Sequence, residues 1–248
     1  MLVPFLTIVL GIDIHYAIGA SLISVIATSS GSAIAQFTGS LANIRLGMFL
    51  EIAATAGALL GAFITTLIAP KWVAIIFGIV LLHSSYMTIV RSKKVDVDRR
   101  PDKLASFLRL NSEYVSDGQI YKYYLHAVPG GFFMMFIAGI LSGLLGIGSG
   151  ALKVIGMDHM MKLPFKVSTA TSNFMIGITA AASAGIYLNR GYINPELVMP
   201  VMLGVLCGSV IGTKFLKKAK PNLIRLIFAI TICILGFQMI YNGIAGKF

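Results

Sequence analysis

Acidic residues are scarce in this chain, with 9 Asp and Glu against 20 Lys and Arg. Only 12% of its 248 residues carry charge, about half the roughly 25% usual for soluble domains. That scarcity excludes a charged, water-facing surface over the whole fold. Cysteine is nearly absent. Cys207 and Cys233 lie inside apolar stretches without ligand spacing, so they read as packed thiols rather than a disulfide framework or metal site. Catalytic signatures are missing as well: there is no H-E-x-x-H, P-loop or G-x-S-x-G. His15, His83 and His126 are dispersed, and neither an enzyme activity nor a cofactor nor a metal is expected. Residues 1–11 hold no basic residue, so no cleavable signal peptide is expected there.

Apolar residues are abundant. They make up 57% of the chain, mean hydropathy is +0.87, and glycine stands at 26 residues. Apolar runs near 20 residues recur, enough to cross roughly 30 Å of hydrocarbon at about 1.5 Å per residue. Spans are expected at about 16–37, 46–68, 71–90, 127–147, 165–188, 196–216 and 222–243. Two apolar pieces, 1–12 and 149–162, are too short to cross as straight helices. The expected fold class is an all-α integral membrane protein. Glycine at this density suits close helix packing in lipid.

The net charge of +11 would suggest nucleic acid in a soluble protein. Here the basic residues cluster between apolar segments, where they set topology and meet lipid headgroups, so no nucleic-acid partner is expected. The long polar stretch 91–125 is richest in Lys and Arg and is assigned to the cytoplasm. It divides the chain into a first repeat at 1–90, a polar loop at 91–125, and a second repeat at 126–248. Within the loop, Leu104, Phe107, Leu108 and Val115 have rough helical spacing. That pattern fits either a surface helix or a solvated loop with one frayed helix.

An internal repeat underlies this division. Shifting the first block by 151 residues pairs Ser21 with Ser172, Thr28 with Thr179, Asn43 with Asn194 and Leu46 with Leu197. It also pairs Gly57-x-x-x-Gly61 with Gly208-x-x-x-Gly212, Pro70 with Pro221 and Phe77 with Phe228. All four glycines are expected at helix–helix contacts. The basic run Lys217-Lys218-Ala219-Lys220 should face the cytoplasm, while its mate near Pro70 faces outward. Equivalent turns on opposite sides make an inverted-topology repeat, provided that 149–162 counts as a crossing. Residues 127–147 have no counterpart, because Met1 aligns near Ala151, so the first repeat is expected to lack its opening helix.

Polar residues in apolar surroundings are the candidate site. The run Gly139-x-x-x-Gly143-x-x-Gly146-x-Gly148-Ser149-Gly150 lacks the preceding strand of a dinucleotide loop. It serves either close helix packing or a broken helix whose exposed N–H groups face an anion. Lys153 at membrane depth faces a cavity or a partner, or snorkels to a nearby interface. Asp158, His159 and Lys162 continue that segment as site residues or as its interfacial end. Two hydroxyl clusters correspond: Ser21, Ser24, Thr28, Ser29, Ser30 and Ser32, then Ser168, Thr169, Thr171, Ser172, Asn173 and Thr179. They either bond back to their own helices or donate to an oxyanion without a buried cation. Gln36 adds a polar group that needs a partner in lipid. Glu51 reads as a boundary charge near the cytoplasmic interface, with a proton-coupling carboxylate as the alternative.

The glycine run, the short segment after it and Leu163-Pro164-Phe165-Lys166-Val167-Ser168-Thr169-Ala170-Thr171-Ser172 resemble the sulfite exporter TauE/SafE family of anion transporters. A looser copy runs from Ile12 to Ser21, and the resemblance covers nearly the whole chain. It departs at Ser149, where the family often has a third glycine, and at the absent opening helix. The resemblance implies alternating-access transport of sulfite, thiosulfate or an organosulfonate across the cell's inner membrane. By matching motif it implies contacts from Gly148, Ser149, Gly150, Thr171, Ser172 and Asn173, with Ser21 as repeat mate. Lys153, Thr28 and Ser29 complete the expected site. The expected partners are the anion and membrane lipid, with a homodimer allowed. The rivals are an anion channel and a non-transporting scaffold subunit.

Overall fold

The computed structural model describes residues 2–37, 42–89, 105, 107, 108, 110, 112–116, 119–146, 148–216 and 221–246. Its helices are α1 (Leu2–Ile8), α2 (Ile14–Phe37), α3 (Ile44–Thr65), α4 (Pro70–Ile89), α5 (Val128–Leu145), α6 (Gly150–Ile155), α7 (Phe165–Asn189), α8 (Pro195–Leu216) and α9 (Pro221–Ile244). A single π-helical turn, Gly156–Met160, extends α6. The seven long helices match the seven expected spans, with ends shifted by a few residues.

Local chemistry sets these ends. Pro70, Pro195 and Pro221 open their helices, where the missing N–H costs nothing and φ is already helical. Asn43 caps α3 by accepting from the Leu46 N–H at 3.0 Å. Between α5 and α6 the chain turns through three left-handed residues, Gly146 (φ 64°), Gly148 (φ 72°) and Ser149 (φ 41°). Two are glycines, which enter that region without a Cβ clash; Ser149 does not share that freedom. The helix therefore breaks here.

Across the bundle large apolar side chains face outward, and polar groups share the interior with an apolar core. Met48, Ile52, Phe63, Trp72, Ile79, Phe133, Leu203, Ile234 and Phe237 are exposed, while Ser24, Thr65, Ser142, Lys153, Ser168, Thr171, Ser172 and Thr179 are buried. Apolar side chains outward and polar groups inward suit a hydrocarbon surround. Helices α3 and α5 are long and apolar enough to cross a membrane.

The tightest packing joins α3 to α5. A Cβ on Gly57 would sit 2.1 Å from the Phe136 carbonyl oxygen, and one on Gly61 2.1 Å from that of Ile140. Reciprocally, a Cβ on Gly139 or Gly143 would sit 2.1 or 2.0 Å from the carbonyl oxygen of Ala54 or Ala58. Backbones meet only because no side chain intervenes. The second glycine pair behaves differently. Gly208 is exposed and, among the described residues, nothing lies within 4 Å of its Cβ position, which corrects the expectation that it sits at a helix contact. The surroundings of Gly212 lie outside the described residues.

The polar loop brings a second correction. Ser112–Ser116 (β1) and Gln119–Tyr123 (β2) pair antiparallel, with Tyr114 opposite Tyr121 and Val115 opposite Ile120. Val115 thus belongs to a strand, not a helix face. β-branched and aromatic residues flank Asp117-Gly118, a hairpin signal stronger than the helical spacing. Leu104 lies outside the described residues.

Helix boundaries repeat at the same offset as the sequence. Ile14, Ile44 and Pro70 become Phe165, Pro195 and Pro221, each 151 residues on, and Thr65 becomes Leu216. Contacts correspond too: α3 packs on α7 as α8 packs on α2, and α2 meets its mate α7 as α4 meets α9.

Candidate functional site

The break between α5 and α6 lies against α2 and α7. The Ser21 hydroxyl donates to the Gly146 carbonyl at 2.8 Å, and that of Ser172 to the Gly150 carbonyl at 3.1 Å. The α-carbon of Gly148 faces Val25 and Ile176, while Ser29 comes so close to Gly177 that a Cβ there would meet its Oγ at 2.6 Å. Ser21, Gly148, Ser149, Gly150 and Ser172 thus surround one seam, while the Ser29 hydroxyl bonds back to the Ile26 carbonyl at 3.1 Å. Ser149 is 8% exposed, and its hydroxyl has no hydrogen-bond partner among the described residues. A buried hydroxyl without a partner forfeits about 1–3 kcal/mol. It is a donor available to a ligand. Ser168 and Ser142 have buried hydroxyls in the same condition.

Other candidates are engaged elsewhere. Thr28 and Ser24 bond back to carbonyls of α2, at 3.0 and 2.9 Å. Thr171 accepts the Asn43 N–H at 3.0 Å, tying α7 to the start of α3. Asn173 is half-buried on α7. The side chains of Ser32, Gln36 and His159 lie outside the described residues.

Lys153 does not snorkel outward but faces a partner, the second of its expected alternatives. It is fully buried, and its Nζ lies 3.5 Å from Glu51 Oε2 and 3.3 Å from the Met175 carbonyl, with the Thr179 hydroxyl also bonded to it. Glu51 is 5% exposed and accepts from Thr55 at 3.1 Å and Thr179 at 2.5 Å. The expectation of a boundary charge at Glu51 is therefore corrected. Lys153 draws it into a buried ion pair between α3, α6 and α7. Sequence inspection missed the pair because its members stand 102 residues apart. Two lone opposite charges in apolar helices were the available signal.

The two ends of the bundle differ in chemistry. At one end Asp13, His15, Thr66, Pro70 and Tyr192 help line a cavity of about 510 Å³. His15 Nδ1 lies 3.1 Å from Asp13 Oδ1, and its ring stacks on Tyr192 at 4.9 Å. None of the ten expected site residues lines this cavity. Toward the other end Asn43 donates to the Leu110 carbonyl at 3.0 Å and to the Tyr123 hydroxyl at 2.9 Å, tying α3 to the hairpin. Burial pushes the Tyr123 phenol above its ordinary value, against the lowering effect of bonds to Asn43 and Ser112.

Long apolar helices packed on an apolar core, with polar seams and, among the described residues, one buried ion pair, suit a polytopic membrane protein. The family model "Sulfite exporter TauE/SafE" matches residues 1–239, and the chain belongs to this family of membrane transporters. It is 28% identical over 228 residues to "Probable membrane transporter protein YunE" of Bacillus subtilis, covering 92% of this chain and 81% of that protein. "Probable membrane transporter protein YdhB" of the same organism is 25% identical over 96% of this chain and 90% of its own length. "Sulfite exporter TauE/SafE family protein 6" of Arabidopsis thaliana is 32% identical over 108 residues, 43% of this chain and 24% of that one. No solved structure matches.

Proposed function

We propose that this transporter moves a small sulfur-containing anion, such as sulfite, thiosulfate or an organosulfonate, across the cytoplasmic membrane by alternating access. The observation that carries this is the unpartnered, buried Ser149 hydroxyl at a glycine-rich helix break flanked by Ser21 and Ser172. Hydroxyl donors recognise an oxyanion without the cost of burying several cations. The wider family name, sulfite exporter, supports a sulfur oxoanion as the cargo.

Two inverted repeats would rock about this seam. Supporting inversion, the starts of α2 and α4 share one end with the α7–α8 turn at Tyr192. From that end α8 runs 22 residues away before α9 begins, so the α8–α9 turn and its mate at Thr66–Pro70 fall at opposite ends. With residues 91–125 cytoplasmic, the His15 cavity opens outward. A homodimer is compatible with the exposed apolar faces.

Purified protein in proteoliposomes tests the function with radiolabelled sulfite, thiosulfate and methanesulfonate. Saturable uptake of at least one of the three is expected, and Ser172→Ala should weaken its apparent affinity about ten- to a hundredfold, since a hydrogen bond to a charged ligand is worth roughly 1.5–3 kcal/mol. Flux without saturation would mean a channel. Absence of flux for all three anions would leave a scaffold role.

A further inference from the structure

Glu51 and Lys153 form a salt bridge with both side chains almost fully buried, at 3.5 Å. Burying two charges costs several kcal/mol per ion, and apolar residues of similar size often serve stability as well. The repeat shows as much within this molecule: 151 residues away, Glu51 corresponds to Met202 and Lys153 to Leu2. Only Thr179 has a polar mate, Thr28. The helical scaffold therefore does not require the pair.

The pair occupies a central position. Glu51 lies seven residues into α3, about 10 Å along its axis. Lys153 stands one turn beyond Ser149 on the same short helix, its N–H bonded to the Ser149 carbonyl at 3.0 Å. On α7, Ser172 and Thr179 line the same seam with α6. An anion held by Ser149 and Ser172 therefore lies about one helical turn from the Lys153 backbone, while the ammonium is hydrogen-bonded to Glu51, Met175 and Thr179, about two turns along α7 from Ser172.

Thr179 gives the cluster two arrangements. Its single hydroxyl proton is aimed at both Glu51 Oε1, 2.5 Å away, and the Met175 carbonyl, 2.9 Å away. It can donate to one at a time. Glu51 meets Lys153 from α6, Thr179 from α7 and Thr55 from its own helix. Helix α5, packed on the same stretch of α3, contains no ionisable residue. The ionisable groups of α7, Lys166 and Tyr187, lie near its ends.

We propose that Glu51 is the proton-binding site of a proton–anion symport, releasing Lys153 to the anion when it is protonated. This rests on the anion-transport reading above. A proton from water adds to a Glu51 carboxylate oxygen, and the ion pair separates. The ammonium then donates to the anion, and Thr179 turns toward Met175. On the opposite side the anion leaves, the carboxyl proton returns to water, and the pair re-forms. No bond within the anion changes. The empty site (carboxylate plus ammonium) is neutral, and so is the loaded one (carboxylic acid, ammonium, monovalent anion). A weakly polarisable interior tolerates both and opposes a divalent anion, which would bring an uncompensated charge.

Proteoliposomes containing the full chain, loaded with methanesulfonate or thiosulfate, test this. Wild-type protein should accumulate methanesulfonate about tenfold for each pH unit imposed across the membrane, the ratio set by one proton per anion. Glu51→Gln should lose gradient-driven accumulation yet keep methanesulfonate exchange within about threefold of wild type, because Gln mimics the protonated acid. Exchange without response to the gradient, continued accumulation by Glu51→Gln, or transport of thiosulfate alone overturns the proposal and leaves anion transport standing. No exchange of either anion overturns both. Should Glu51→Gln fail to fold, carbodiimide modification of wild-type Glu51, read by peptide mass spectrometry, replaces it. Methanesulfonate should speed that reaction several-fold by holding the carboxyl protonated; unchanged or slower modification overturns the proposal.

Discussion

Helices α3 and α8 begin at Asn43 and Asn194 mates, each runs 22 residues, and each carries a Gly-x-x-x-Gly face. Their surroundings nevertheless diverge. On α3 the glycines meet α5 backbone at about van der Waals overlap, Glu51 meets Lys153, and Asn43 is buried under the hairpin. On α8 Gly208 is open, Met202 replaces the carboxylate, and Asn194 caps Glu196 in an exposed position. Glycine spacing permits close approach, then, but a partner must arrive to use it. The α3 half is a polar, tightly packed core; the α8 half presents small and apolar groups outward.

The largest expected effect breaks that contrast at the glycines. Gly61→Leu places a side chain into the Ile140 carbonyl, and overpacking in a fixed backbone contact should exceed the usual 1–3 kcal/mol. We expect no monodisperse protein in detergent chromatography. Gly208→Leu should elute and melt like wild type; equal loss in both variants would erase the distinction.

Next comes the ion pair, which α8 lacks. Lys153→Met leaves the Glu51 carboxylate buried and unpaired, a cost of about 3–5 kcal/mol when ionised. The double variant Glu51→Met with Lys153→Met copies the apolar choice of the other repeat and should recover most of the melting temperature. A double variant no better than the single would show that the pair holds the fold together.

A smaller difference separates the two caps. Asn43→Ala removes the cap of α3 together with its bonds to Leu110 and Tyr123, for about 2–3 kcal/mol. Asn194→Ala should cost about 1 kcal/mol or less, because water can replace an exposed cap. Thermal melts of both compare them directly.

The Tyr123 phenol gives the smallest effect. Its pKa is raised by burial above 10.0, and the protonated form is the neutral one. It therefore contributes stability that is fully present below the ordinary value and is lost as pH rises through the raised one. Tyr123→Phe should flatten that alkaline loss in melts taken between about pH 8 and 11, whereas a steep loss in both proteins would assign it to other groups.

Much of the architecture could be read from the sequence, because apolar length and proline position act locally. The seven long helices and the 151-residue offset are examples. The break at Gly146–Ser149 was foreshadowed by glycine density alone. What escaped was tertiary. Glu51 looked like a boundary charge until Lys153, far along the chain, came to meet it. The hairpin carried a local signal, Asp117-Gly118 between β-formers, that helical spacing at Leu104–Val115 obscured. Gly208 could not be distinguished from Gly57, since spacing says nothing about which neighbour arrives. For the hydroxyls, back-bonding along α2 and donation across the seam require the same residues, so only geometry separated Thr28 from Ser21.

The inverted relation between the two halves underlies the proposed transport cycle, and sided cysteine labelling tests it most directly. With Cys207 and Cys233 replaced by serine, Pro70→Cys and Lys218→Cys would each be challenged in intact cells with a membrane-impermeant maleimide. Inversion predicts that position 70 reacts from outside, while position 218 reacts only after the membrane is opened. Labelling of position 218 in intact cells would contradict it.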